Sequence, residues 1–271
     1  MDAQSEATSA ASPRANVLGV GIDPLDLDRA VARAIAWTER PIRRARYACF
    51  CTVNTVMECQ ENPRFRAVIN AADLAAPDGM PLVWLARHQG FPDTSRVYGP
   101  DFVLRFFERT GRRYRHFFYG GAPGVADELA HRLGQRFGPL EVAGTLSPPF
   151  GTLTAEQDAA MVATINAAAP DVIWVGLSTP KQDYWAAAHA TRLNATLIFA
   201  VGAAFDFHSG RVKQAPLWMQ RRGLEWLFRL IQEPRRLWRR YLLYNPRFLA
   251  SVLFQLSGAR RYVLPERQES R

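Results

Sequence analysis

The chain has 271 residues, 48% hydrophobic and 22% charged, with a formal net charge of +9. This composition supports a packed globular core and excludes a disordered, collagen-like or coiled-coil protein. The charge is uneven: residues 211–271 hold fourteen Lys and Arg against four Asp and Glu, whereas residues 1–210 hold twenty against twenty-one. A near-neutral body with a basic last fifth points to a polyanionic partner, either nucleic acid or an anionic membrane surface; a solubilising charged face is the plainer alternative.

Residues 1–16 are polar and rich in Ala and Ser, without the apolar centre of a signal peptide, and read as a disordered tail on a cytoplasmic protein. Residues 17–22 read as a strand and 26–38 as an amphipathic helix capped by Asp26. Residues 46–52 form an apolar strand, followed by a polar helical stretch and a second apolar run over 71–77. A helix begins near Met80. Residues 116–119 are strand-like and lead through a Gly-rich turn to a helix over 125–137. A strand over 140–145, a Thr154-capped helix to about 168, a buried strand over 171–177, a helix from Pro180 to about 191 and a buried strand over 195–201 complete the body. This β-α-β rhythm with unbroken apolar strands predicts a mostly parallel sheet flanked on both faces by helices, Rossmann-like, spanning residues 17–210. Ligands of such sheets bind in the loops beyond the strand C-terminal ends.

Beyond Gly210 the pattern is helical. Leu217, Leu224, Leu227, Phe228 and Ile231 form an apolar stripe, and Arg222, Arg229, Arg236 and Arg240 align on a helical path that Pro234 breaks and restarts. Arg with interleaved Trp218, Trp226 and Trp238 suits a helix lying on a membrane, and equally a helix packed on the core with an exposed Arg face. Residues 211–271 thus form a basic helical appendage. The roughly eighteen consecutive apolar residues a bilayer span requires do not occur: the run from Tyr241 to Leu256 is broken by Asn245, Pro246 and Arg247.

Cys49, Cys51 and Cys59 lack CxxC spacing and read as buried free thiols in a reducing compartment. His88, His116, His131, His189 and His208 show no ligand spacing. Asp26 and Asp28 form a D-x-D, but they open a helix, where acidic residues serve as caps. No metal and no cofactor are expected. Gly120, Gly121 and Gly124 join a strand to a helix, as either a phosphate-binding loop or a tight turn. Gly19-x-Gly21 lacks the third Gly of a dinucleotide fingerprint. Asp78 ends an apolar run just before a helix: it either caps that helix, the better reading from local sequence, or serves as a general base. The same ambiguity covers Thr52 and Asn54. These readings reach a phosphate-bearing ligand and a basic aromatic tail, but no reaction.

Several segments in order carry a resemblance: TVN at 52–54, ADLAAPDG at 72–79, RVYGPD at 96–101, FYGGAPG at 118–124, VGLSTPKQ at 175–182, VGAAFD at 201–206 and LEWLFRL at 224–230, with EPRR at 233–236. Together they resemble the WecG/TagA/CpsF glycosyltransferase family (glycosyltransferase family 26), including its xanthan-type glucosyltransferases, over about residues 17–245. The resemblance implies an inverting, metal-independent enzyme moving a sugar from a UDP-sugar to a polyprenyl-diphosphate-linked sugar, at the cytoplasmic face of the membrane. It implies Asp78 as base, Thr52 near the reacting centre, and Arg96, Gln182 and Asp206 in the pocket. Asn54, Gly120 and Gly121 join them as substrate-binding candidates. It further implies Arg229, Arg236 and Arg239 as arginines of an appendage that closes the site and touches diphosphate and membrane. Asp183 stands where the family usually has Glu, Ser178-Thr179 replaces a more Gly-rich turn, and Ala203 replaces a commoner Gly. Two rival classes remain: a nucleic-acid-binding protein, for which no binding motif is present, and a Rossmann-type oxidoreductase or methyltransferase, which the incomplete Gly pattern disfavours.

Overall fold

The computed structural model describes residues 12–39 and 44–265, apart from the side chains of residues 217, 221, 236, 239 and 240. Eight strands and twelve helices are formed among them. Six strands make one parallel sheet in the order β4-β3-β8-β7-β5-β6: β3 (Arg46–Cys51), β4 (Leu74–Pro77), β5 (Arg115–Gly120), β6 (Glu141–Leu146), β7 (Val172–Gly176) and β8 (Leu197–Ala200). The unbroken apolar runs arise because both faces are covered. On β7, Val172 and Trp174 enter one core, and Ile173 and Val175 enter the other.

Helices α1 (Leu27–Thr38), α5 (Gly99–Thr110), α6 (Val125–Phe137) and α9 (Ala204–His208) cover the Trp174 face. The opposite face is covered by α2 (Val53–Glu61), α3 (Pro63–Ala71), α7 (Ala155–Ala167) and α8 (Lys181–His189), with α4 (Met80–His88) beside them. The three cysteines are free and buried there, as expected. The chain leaves β5 outward to β6 but leaves β7 in the opposite direction to β8, so the strand order reverses between β5 and β7, the kind of position where such sheets bind ligands.

Three features differ from the sequence reading. The segment read as one strand over 17–22 is a hairpin of β1 (Ala15–Val17) and β2 (Val20–Ile22), because Leu18 and Gly19 both take positive φ and reverse the chain. The expected tail over 1–16 therefore ends early: Ala15 and Asn16 are in β1, and Arg14 is paired at 2.9 Å with the buried Asp23. Residues 1–11 of that tail lie outside the described residues. Finally, α5 has no counterpart in the reading, although Phe102, Val103, Phe106 and Phe107 repeat at helical spacing and are all buried.

The appendage consists of α10 (Leu217–Arg221), α11 (Glu225–Gln232) and α12 (Pro234–Leu256). Pro234 restarts the helix at its first turn, where the missing N–H costs nothing. Helix α12 continues through Pro246 and packs along α2, burying Phe248 and Val252. Tyr244 donates to Glu61 at 2.8 Å, and Arg247 pairs with the same residue at 2.6 Å. Near its end Gln255 takes the Leu18 N–H at 3.0 Å and donates to the Asn16 carbonyl at 2.8 Å, so α12 is tied to the hairpin. No described helix is long and apolar enough to cross a membrane.

Candidate active site

The β3–β4 ladder ends at Cys51 and Pro77, so Thr52 and Asp78 emerge side by side at the sheet edge. The N–H groups of Asp78 and Gly79 both donate to the Cys51 carbonyl, at 2.9 and 3.2 Å, which prolongs the pairing by one turn and fixes where Asp78 points. A link from Arg96 to Gly99 then crosses these ends, tied down by the Val97 N–H to the Pro77 carbonyl at 2.9 Å.

Asp78 is only 9% exposed. Its backbone carbonyl accepts from Arg96 Nε at 2.6 Å, its Oδ1 from Arg96 Nη2 at 3.3 Å and its Oδ2 from the Gly99 N–H at 3.3 Å. The local-sequence preference for Asp78 as cap of the following helix is overturned: the N-cap of α4 is Gly79, with no side-chain cap, and the carboxylate instead meets the first N–H of α5. Burial pushes the Asp78 carboxyl up to about 6; the Arg96 cation and the Gly99 N–H oppose that rise, and the charge of Glu225 adds to it.

Glu225, in the first turn of α11, is the residue the sequence reading missed. Its Oε2 accepts from Arg96 Nη2 and its Oε1 from the Tyr98 hydroxyl, both at 2.6 Å, and the side chain is buried. The Arg96 guanidinium also stacks on Tyr98, 3.9 Å from the ring centroid. Burial, then the neighbouring Glu225 charge, pushes the Tyr98 hydroxyl far above its usual range, so it remains a donor. A usable signal did exist: Glu225 is one of only four acidic residues in the basic appendage.

The other candidates separate into groups. Thr52 caps α2, its hydroxyl facing the Thr55 N–H at 3.5 Å while Thr55 Oγ1 takes the Thr52 N–H at 3.1 Å. Its Cα lies 3.5 Å from where a Cβ on Gly79 would stand, so it borders the Asp78 turn. Asn54 is buried in the first turn of α2. Gln182, in the first turn of α8, is buried and donates to the Ala200 carbonyl at 2.8 Å, tying α8 to the end of β8; its Oε1 has no hydrogen-bond partner among the described residues. Asp206 lies on α9, where its backbone carbonyl accepts from Val212 N–H at 3.1 Å.

Gly120 and Gly121 have a packing role. Gly120 pairs with Gly176 across β5 and β7, and a Cβ on it would come within 2.6 Å of the Gly176 carbonyl oxygen. Added Cβ atoms on Gly121 and Gly176 would collide with Val125 and with the Phe205 ring, respectively. These glycines let Phe205 seat under the loops. Arg229 lies one turn beyond Glu225 on α11, its guanidinium 5.8 Å from the Phe207 ring centroid and its Nε without a partner among the described residues. The side chains of Arg236 and Arg239 lie outside the described residues.

The model of the glycosyl transferase WecG/TagA/CpsF family matches residues 15–262. The N-acetylglucosaminyldiphosphoundecaprenol N-acetyl-beta-D-mannosaminyltransferase of Bacillus spizizenii is 33% identical over 197 residues, covering 72% of this chain and 74% of that protein. The match takes in the hairpin, the sheet and the appendage, including every residue around Asp78.

Proposed function

This chain belongs to the WecG/TagA/CpsF glycosyl transferase family, and from that membership we propose that it is an inverting glycosyltransferase. It takes a sugar from a UDP donor and places it, β-linked, on a polyprenyl-diphosphate-linked sugar for cell-surface polysaccharide. The relative's acceptor, named as N-acetylglucosaminyldiphosphoundecaprenol, supports an N-acetylglucosamine-bearing lipid as acceptor here. Glucose, N-acetylmannosamine and its uronic acid are the donor sugars to test.

The observation that carries the mechanism is Asp78: a buried carboxylate at the strand edge, held from two sides by Arg96 and the Gly99 N–H. The acceptor hydroxyl oxygen forms a bond to the anomeric carbon, and its proton passes to the Asp78 carboxylate. The bond from the anomeric carbon to the UDP oxygen breaks, and UDP leaves with the electron pair. Attack opposite the leaving group inverts the configuration. Charge developing on the diphosphate falls to guanidinium groups and backbone N–H donors, with Arg229, whose Nε has no partner among the described residues, a candidate from the appendage.

Membrane docking follows from the same appendage. Trp238, Leu242, Leu249, Leu253 and Phe254 are all about half exposed or more. They give α12 exposed apolar surface beside the buried Phe248 and Val252, on a segment rich in arginine. Such a helix fits the face of an anionic bilayer, where a lipid-linked acceptor resides.

The test uses purified full-length protein, radiolabelled UDP-sugars and a polyprenyl-diphosphate-N-acetylglucosamine acceptor. Label should enter the lipid fraction, Asp78→Asn should abolish that transfer, and UDP binding by the variant should persist. No transfer from any of the three donors would overturn the reading.

A further inference from the structure

The link from Arg96 to Gly99 is a strut between two carboxylates. On one side Arg96 Nε and the Gly99 N–H hold Asp78; on the other, Arg96 Nη2 and the Tyr98 hydroxyl hold Glu225. The two acids belong to different parts of the chain, Asp78 to the sheet edge and Glu225 to the appendage. Both accept from the two N–H bonds of one atom, Arg96 Nη2, and Glu225 draws it closer, at 2.6 Å against 3.3 Å.

A first-turn acid already gains from its own helix dipole, and that gain needs no burial. Glu225 is nonetheless buried, with both oxygens used, on a helix whose Trp226, Leu227 and Ile231 face outward. Burying a carboxylate is costly unless its partners are well placed. Two short bonds, one of them charge-assisted, provide such partners. Without Glu225, Nη2 is free to close on Asp78 Oδ1 and form a tighter pair, which weakens Asp78 as a proton acceptor. The contact therefore does two things: it seats α11 on the body and keeps the guanidinium from fully neutralising Asp78.

We propose that Glu225 is a positioning residue for the transfer reaction, holding Arg96 off Asp78. The inference rests on Asp78 being the base. The charged and titratable groups facing Glu225 are Arg96 and Tyr98 of the strut, Asp78 across the guanidinium and Asp101 of α5, with Arg229 one turn along its own helix.

The experiment is the pH profile of kcat/KM for full-length wild type, Glu225→Gln, Glu225→Asp, Tyr98→Phe and Asp78→Asn, with hydrogen exchange of the substrate-free proteins. Glu225→Gln should lower kcat at least about 10-fold and move the acid limb down by about half a unit or more, since a negative charge is lost and Arg96 approaches Asp78. Exchange in α11 should quicken. Glu225→Asp keeps the charge and should recover part of the rate. Tyr98→Phe keeps the charge too, and should slow turnover with the limb unmoved. An unmoved acid limb in Glu225→Gln, with only a lowered Tm or raised KM, reduces Glu225 to a tether and overturns the proposal. Turnover retained by Asp78→Asn overturns instead the assignment of the base, so the two failures are distinct.

Discussion

Asp78 and Glu225 share one guanidinium: Arg96 Nη2 lies 3.3 Å from the first and 2.6 Å from the second. The protonation of the largely buried Asp78 therefore depends on both neighbours, the cation lowering its carboxyl and the second acid raising it. Removing the cation is the harshest change. Arg96→Gln should push the Asp78 carboxyl above its value of about 6 and move the acid limb of kcat/KM to higher pH, opposite to Glu225→Gln. It should also cost about 3–5 kcal/mol of stability at neutral pH, because two buried carboxylates lose their partner. Urea unfolding and the pH profile measure the two effects.

The raised carboxyl of Asp78 also has a sign in stability. In the unfolded chain it titrates near 3.8 and in the folded one near 6, so its favourable protonated form is fully present below about pH 4. That contribution is lost as pH rises through 6. Asparagine imitates the protonated acid at every pH. Asp78→Asn should therefore be more stable than wild type by up to about 3 kcal/mol above pH 7, with the gap closing near pH 4. Thermal melts at both pH values test this, and the same variant should have no turnover.

Gly176 has no room for a side chain. Gly176→Ala drives a methyl group into the Phe205 ring, and overpacking of this kind costs about 1–3 kcal/mol. Phe205→Leu in the same chain should return part of the loss, which a double-mutant cycle by chemical denaturation would show.

The outward face of α12 separates anchoring from folding. Leu249→Ser and Leu253→Ser, at 62% and 67% exposure, should leave Tm nearly unchanged and reduce sedimentation with anionic vesicles. Phe248→Ser, at 2% exposure, should instead lower Tm by several degrees. Equal vesicle binding by wild type and both Leu variants would remove this face as the membrane contact.

Much of this architecture was legible along the chain. The apolar runs of β3, β7 and β8 and the Thr154 and Asp26 caps lie within a residue or two of their expected places, since such signals are local. The helix α5 was legible too, through its phenylalanine spacing, but Gly99-Pro100 at its start reads as a turn. The hairpin was hidden because Leu18, an unlikely residue for positive φ, takes it in the turn.

For the site, the sequence by itself determined the family, through ordered motifs, and the candidates Asp78, Arg96 and Arg229 within them. It determined the charge division as well, a near-neutral body and a basic helical end. What only the tertiary structure decided is which groups meet. Local pattern placed Asp78 as the cap of α4, whereas the folded chain turns its carboxylate to α5 and Arg96. The basic appendage sends one of its acidic residues, Glu225, to the buried centre, where the strut supplies the cation. A pairing 129 residues apart in the chain leaves no periodic trace, and its energy exists only once both partners are desolvated together.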